Sequence, residues 1–545
     1  MDYKRNYALW LASPVVDEKT KEELSSFDEK EIEDRFWREL EFGTGGLRGV
    51  MGAGTNRMNI YTVRQATQGL ADYISATEKG AARGVVIAYD SRNNSALFAH
   101  ECARVLSANG IKNYIFPSLR PTPMLSFAVR YLGCAAGVVI TASHNPAEYN
   151  GYKVYGDDGC QIGPETAEVI LKNIRNTDIF DGIKLTDTTD TIVLGSEVDD
   201  AYIAAVKAES LGTKIPAELS IVYTPLHGAG NIPVRRVLSE IGVKKLTVVA
   251  EQEAPNGDFP TVKSPNPENR EAFDIAIEYA KENDADLIFG TDPDSDRIGV
   301  VVKDKEGNFR VLTGNETGVL LCEYILRKTK EKGMPRAPHV VKTIVTTEMV
   351  RAVADDYGVD TADVLTGFKY IGEKIAEYEE KGESYLFGLE ESYGYLKGTY
   401  ARDKDAVVAS MLVCELAADC RAEGITLAER LDALYEKYGY YREKLLSFTL
   451  KGIDGAERIK KIMTALRARP MEGEWISRTD YAVGIDGLPP SDVLKFRLAD
   501  GAFTARPSGT EPKIKFYLSA KGKNAAESEK ILAHLTAIVE QTVNR

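Results

Sequence analysis

Three observations predict a multi-domain α/β protein. Short β-branched apolar runs alternate with segments of helical period, which is the pattern of βαβ units and largely parallel sheets. Four of these runs end in glycine-rich or charged loops. The 545 residues are too many for one hydrophobic core, so three or four domains are expected. No short repeat of the solenoid type is visible.

Composition narrows the function classes. Hydrophobic residues at 43% and charged residues at 28% are ordinary for a soluble globular chain. A net charge of -14 argues against a general binder of nucleic acid or anionic membrane, since both need broad basic surfaces. A small anionic substrate stays possible where a few Arg and Lys converge. The six Cys form no CxxC pair, so neither a zinc site nor a disulfide framework is expected, and reduced, mostly buried thiols are.

In chain order, the opening MDYKRNYALWLASPVV faintly imitates a signal peptide, but its apolar run is short, contains Pro14 and leads into the acidic, helix-like DEKTKEELSSF. No run approaches the roughly 18 apolar residues that span a bilayer, and a cytoplasmic location is expected. The glycine-rich FGTGGLRG near residue 45 lacks the spacing of a dinucleotide fingerprint, though Arg48 could reach a phosphate from this turn.

The run GVVIT (137–141) leads into TASHNPAEYNGYK, with Ser143 and His144 adjacent and Lys153 ten residues beyond the serine. A hydrolase would want a G-x-S-x-G elbow, which is missing. Neighbouring side chains of an extended chain also point apart, which makes His144 a poor base for Ser143. An Asn-Pro turn is one reading. The other is an anion site, with Lys153 returning to the serine.

ADLIFGT (285–291) leads into DPDSDR, where Asp292, Asp294 and Asp296 alternate, so an extended turn brings three carboxylates around one hard cation. An EF-hand is excluded by Arg297 at the sixth position and Lys303 at the twelfth. The alternative is a solvated acidic turn. SYLFGLE (384–390) leads into ESYGY, where Glu390 and Ser392 offer a carboxylate and a hydroxyl suited to sugar hydroxyls, with Arg402 and Lys404 following. An acidic turn is again the alternative. In the last stretch, VLKFRL and AFTARPSGTEPKIKFYLS read as strands around a loop. Arg506, Ser508, Gly509 and Thr510 there make a phosphate cradle that is not a Walker A loop.

Polar loops at strand ends, spaced through the chain, imply one loop per domain facing a shared cleft. Divisions are expected near 205–215, 304–310 and 425–440, and the last domain reads as mixed and antiparallel.

TASHNPAEYNGYK, GTDPDSDR, GLEESYG and RPSGTEP, in this order, resemble the α-D-phosphohexomutase superfamily over nearly the whole chain. The closest likeness is to the phosphoglucomutase branch, including bacterial members that also carry LTGFKYIGEKI. The resemblance implies three related α/β domains (1–208, 209–306, 307–430) and a C-terminal α+β domain (431–545) around a central cleft. It makes Ser143 the residue phosphorylated in the active enzyme, flanked by His144 and Lys153. It makes Asp292, Asp294 and Asp296 the Mg²⁺ ligands, with the Ser143 phosphate supplying a further oxygen. Arg48 and Arg297 join the catalytic group.

Glu390 and Ser392 then belong to the sugar-hydroxyl loop, with Lys404 beside them. Lys369 belongs to the segment that senses which end of the sugar is presented. Arg506, Ser508, Gly509 and Thr510 belong to the loop for the non-reacting phosphate. The implied reaction interconverts glucose 1-phosphate and glucose 6-phosphate through glucose 1,6-bisphosphate. Mannose- or pentose-phosphate mutases, a bisphosphate synthase and a non-catalytic sugar-phosphate binder are the alternatives. The partners implied are small-molecule sugar phosphates, with no nucleic acid and no membrane, and no oligomeric state is specified.

Overall fold

The computed structural model describes residues 2–43, 45–304, 306–450, 452–471, 473–485, 487–508 and 513–544. Among these residues there are four sheets. The first has seven strands in the spatial order Phe42–Gly43, Gly46–Val50, Tyr149–Gly156, Ala136–Ile140, Val85–Tyr89, Asn113–Ile115 and Ile192–Val193. The second runs Phe309–Val311, Ile298–Lys303, Leu287–Thr291, Ser220–Thr224, Lys245–Val248, and the third Asp360–Val364, Pro338–Thr343, Ser384–Glu390, Gly394–Leu396. The fourth, spanning Tyr440–Gly522, is antiparallel throughout.

One unit recurs in the first three sheets. A buried apolar strand (Ala136–Ile140, Leu287–Thr291 or Ser384–Glu390) has a parallel neighbour on one side and an antiparallel partner on the other. The polar loop joins the buried strand to its antiparallel partner. All three loops are therefore hairpin tips, and in the fourth sheet Gly501–Pro507 and Lys513–Gly522 pair antiparallel. The largely parallel sheets expected from the alternating pattern are mixed, because the strand after each polar loop turns straight back. Three related α/β domains and a distinct C-terminal one are the observed architecture.

A single buried apolar cluster runs through the first three domains. Its axis is the helix Ala406–Ala422, buried on every side from Ala406 to Cys420, as expected of a helix inside a large protein rather than on its surface. The fourth sheet has its own core, around Phe496, Phe503 and Phe516. A small apolar patch of Ile344, Val345 and Leu365 against Tyr481 and Val493 joins it to the third domain. All six Cys are buried and unbridged.

Phe309–Val311, past residue 306, pairs with Ile298–Lys303 in the second sheet, and the helix Leu427–Tyr438 straddles residue 430. We propose divisions near 312 and 439 instead. The apolar N-terminal run is the helix Tyr3–Ala12, whose Trp10 packs edge-on against Phe36 and Tyr61. Asp17 caps the following helix by accepting from the Thr20 amide at 2.9 Å. Among the described residues, no helix is long and apolar enough to cross a membrane.

Candidate active site

The hairpin tips of the first three sheets and strands of the fourth open on one cleft of about 660 Å³. Ser143, Lys153, Asp296, Arg297, Lys369, Glu390, Ser392, Lys404 and Arg506 all face it. Ser508 follows the strand Gly501–Pro507, where its amide donates to the Lys513 carbonyl at 2.8 Å. Gly509 and Thr510 lie outside the described residues.

The serine loop begins where the buried strand Ala136–Ile140 runs out. The return strand pairs Lys153 with Val139, so a ten-residue separation in sequence becomes a short one in space. On its other side the return strand pairs Lys153 with Gly46 and Gly151 with Arg48. A Cβ at position 46 would lie 2.0 Å from the Tyr152 carbonyl, so this close approach needs glycine. Within the FGTGGLRG motif, the strand Gly46–Val50 thus brings Arg48 to the serine loop, where Arg48 Nη1 donates to Asn145 Oδ1 at 3.2 Å.

Ser143 has φ of 53°, a left-handed conformation that costs a non-glycine residue about 1–2 kcal/mol and recurs at functional sites. That turn corrects the expectation about His144. The chain is not extended here, and His144 Nδ1 lies 3.2 Å from Ser143 Oγ. Burial first, then the Arg297 and Arg48 charges, push the His144 imidazole well below its ordinary value, so it is neutral at pH 7. Ser143 Oγ donates to Asp292 Oδ2 at 2.6 Å.

The aspartate loop joins Leu287–Thr291 to Ile298–Lys303, with Thr291 opposite Ile298. The left-handed Ser295 (φ 52°) turns it, and Asp292 Oδ1 accepts from the amides of Asp296 and Arg297 at 3.1 and 3.0 Å. Asp292, Asp294 and Asp296 are all buried and offer oxygens within 4.8 Å of one another. Three cations face them. Lys153 Nζ is 2.9 Å from Asp294 Oδ2, Lys404 Nζ is 3.2 Å from Asp296 Oδ2, and Arg297 Nε is 3.7 Å from Asp296 Oδ1.

The trio fits a divalent cation. Asp294 Oδ1 and Asp296 Oδ1 are buried and accept no hydrogen bond among the described residues. Such carboxylate oxygens are expensive to leave unmatched, and an all-oxygen set suits a hard cation. Burial, and then the Asp294 and Asp296 charges, push the Asp292 carboxyl well above its ordinary value. Burial acts the same way on Asp294, but Lys153 and hydrogen bonds, including one from Thr122, outweigh it and hold that carboxyl down.

In the third tip, Glu390 Oε1 accepts from the Gly367 amide at 2.8 Å, which ties this carboxylate to the segment that carries Lys369. Burial lowers the Lys369 ammonium below its ordinary value, with Glu373 opposing. Arg402 turns away from the cleft to Glu379, while Lys404 points in. Burial disfavours charge on Lys404, yet Asp296, Asp403 and Glu390 outweigh it and hold the ammonium protonated. In the fourth sheet, Arg506 sits opposite Lys515 on the paired strand, beside Tyr517.

Sequence reasoning missed several residues. Tyr155 donates to Asp403 Oδ2 at 2.6 Å, and Asp403 Oδ1 accepts from Lys404 Nζ at 2.9 Å, linking the first and third domains beneath the aspartates. Glu268 is 2.6 Å from Arg297 Nη1. Lys515 adds a second cation beside Arg506. Asp90 and Arg92 lie behind the serine loop, and the only signal was a charged DSR following the apolar run GVVIAY.

Models of the phosphoglucomutase/phosphomannomutase family match the chain in order: alpha/beta/alpha domain I at 39–179, domain II at 200–307, domain III at 313–438, and the C-terminal domain at 450–533. A phosphoglucomutase from Staphylococcus haemolyticus is 38% identical over 512 residues, covering 90% of this chain and 92% of that protein. One from Staphylococcus aureus is 35% identical over 517 residues, covering 91% and 92%. Among solved structures, a phosphoglucomutase/phosphomannomutase family protein from Burkholderia thailandensis superposes with a TM-score of 0.70 at 21% identity, covering 92% of this chain and 96% of that one. With four domain models matched in sequence order and relatives aligned over nine-tenths of its length, this chain belongs to the phosphoglucomutase/phosphomannomutase family.

Proposed function

We propose that the protein is a phosphoglucomutase, interconverting α-D-glucose 1-phosphate and glucose 6-phosphate by way of a phosphoserine at Ser143. The observation that carries this reading is the 2.6 Å contact of Ser143 Oγ with Asp292, inside a ring of three aspartates and three cations. Hydrolysis would need an activated nucleophile. Phosphoryl transfer needs mainly positioning and charge balance, and this site offers both.

Asp292, Asp294 and Asp296 would hold Mg²⁺, which when bound supplies positive charge to the transferring phosphoryl oxygens. The residues of the chain do the rest. Lys153 and Arg48 flank the serine loop and orient the phosphoryl group. Glu390 and Ser392 hold sugar hydroxyls, while Arg506 and Lys515 hold the phosphate that is not reacting. The sugar hydroxyl attacks phosphorus, the bond from phosphorus to Ser143 Oγ breaks, and glucose 1,6-bisphosphate forms. The hydroxyl proton leaves through a neighbouring base, for which the neutral His144 is the candidate, and Ser143 regains a proton. The bisphosphate turns over within the cleft and returns its other phosphoryl group to Ser143.

The fourth domain has its own core and a small joint to the third, which suits it to close over the cleft. Closure excludes the water that would drain the phosphoenzyme. The test is a coupled assay of glucose, mannose and pentose 1-phosphates with and without added bisphosphate. Turnover of glucose 1-phosphate stimulated by glucose 1,6-bisphosphate is expected, and a clear preference for mannose or pentose phosphates would reassign the substrate.

A further inference from the structure

We propose that Arg92 is a positioning residue, which holds the serine loop in its working conformation and registers it against the aspartate loop of the next domain. The inference rests on the assignment of Ser143 as the phosphorylated residue.

Arg92 follows the strand Val85–Tyr89, which runs parallel to the strand feeding Ser143. Its side chain is entirely buried. Nη2 donates to the Ser143 carbonyl at 2.5 Å and to the Asn145 carbonyl, while Nη1 donates to the carbonyls of Pro146 and Tyr149 at 2.8 and 3.0 Å. Three carbonyls of the serine loop and that of Tyr149, which opens the return strand, therefore converge on a single guanidinium. Only a planar fork carrying several N–H donors satisfies that many acceptors at once, and a lysine ammonium lacks the reach.

The other side of the same peptide is held as well. Asp90 accepts from Thr141 Oγ1 at 2.6 Å, and Thr141 Oγ1 accepts from the Ser143 amide at 2.8 Å. Asp90 also lies 3.5 Å from Arg92 Nε and so balances its charge. Amide and carbonyl of the left-handed Ser143 are thus both fixed from one Asp-Ser-Arg turn.

The outer face of Arg92 meets the second domain. The Phe259 ring lies 5.0 Å from the guanidinium carbon, a cation–π distance. Around it, Asn93 Nδ2 donates to Asp258 Oδ1 at 2.6 Å, and Ser264 Oγ donates to the His144 carbonyl at 2.5 Å. The group that grips the serine loop is capped by the domain that carries Asp292. Small shifts there would move Ser143 Oγ relative to the aspartates, and misplacements of about 1 Å are worth about 100-fold in rate.

The test compares Arg92→Lys, Phe259→Leu and Ser143→Ala, assayed in both reaction directions with saturating bisphosphate and with thermal midpoints recorded. Arg92→Lys should lower kcat about 100-fold in both directions while KM for glucose 1-phosphate moves less than about threefold. Phe259→Leu, which keeps apolar volume and loses only the ring face, should lower kcat about tenfold with the same split. If Arg92→Lys does not fold, Phe259→Leu decides alone. A kcat within about twofold of the parent, or a loss confined to KM, overturns the proposal if Ser143→Ala is inactive. An active Ser143→Ala would overturn the phosphoserine reading itself.

Discussion

Ser143 Oγ and Asp292 Oδ2 lie 2.6 Å apart across the joint between the first two domains, so the hydroxyl of one sheet's loop is bonded to the carboxylate of another's. A phosphoryl group on Ser143 would place its oxygens against the buried aspartates, which is tolerable only with a cation among them. Asp292→Asn should therefore lower kcat by about 10²–10³-fold and raise the Mg²⁺ concentration needed for half-maximal rate. A titration of activity against free Mg²⁺ after complete chelation checks this. Activity indifferent to chelation would remove the metal assignment.

Arg506 faces Lys515 across the fourth hairpin, so two cations are available to one phosphate. The fork of Arg506 cannot be copied by lysine. Arg506→Lys should reduce kcat/KM about ten- to 100-fold, matching the loss of one charge-assisted hydrogen bond of about 1.5–3 kcal/mol. The loss should be equal in both directions, because the bisphosphate presents each phosphate to this loop in turn. Glu390→Gln should disturb the choice between glucose and mannose phosphates more than phosphate affinity. Steady-state kinetics in both directions with both sugars separate the two, and impairment in one direction alone would contradict shared contacts.

Tyr155 supplies a buried hydroxyl to Asp403, whose other oxygen holds Lys404. Tyr155→Phe leaves that carboxylate short of a donor. The expected cost is about 1–3 kcal/mol of stability, read as a lower thermal midpoint, together with a loss of activity through Lys404. An unchanged midpoint would mean that the strut contributes nothing.

Glu391 accepts from Thr343 and Thr346 hydroxyls at 3.1 and 3.2 Å, and burial, then the Glu390 charge, push its carboxyl up to about 7. Its folded value lies above the unfolded one, so the folded chain binds the extra proton between about pH 4.5 and 7. The stability this contributes is present below pH 4.5 and is lost as pH rises through 7. Glu391→Gln, which stays neutral, should gain in thermal midpoint over the parent as pH rises from 5 to 8. A constant difference across that range would contradict the assignment.

Much of the fold was legible because apolar runs such as GVVIT, ADLIFGT and SYLFGLE are buried strands, and the charged residues after them are loops that must meet solvent or ligand. The hairpin turn-back was not legible, since pairing direction depends on which strand comes to lie alongside. The aspartate trio announced itself by its spacing, and Lys153 by its return to the serine. Arg92 did not, because its partners are main-chain carbonyls, which leave no mark on the side-chain sequence. His144 was misjudged because the left-handed turn at Ser143 is a tertiary outcome that the Asp90 and Arg92 contacts enforce. Lys404 meets Asp296 from a different domain, and only the folded chain brings them together.

In the proposed reaction Ser143 carries the phosphoryl group between substrate molecules. The most direct test is peptide-level mass spectrometry of the protein after incubation with glucose 1,6-bisphosphate and Mg²⁺, before and after a chase with excess glucose 6-phosphate. A single phosphoryl group is expected on the peptide containing Ser143, discharged by the chase with formation of bisphosphate, with no phosphorylation or turnover in Ser143→Ala. A phosphoryl group at another residue, or full turnover by Ser143→Ala, would contradict this role for Ser143.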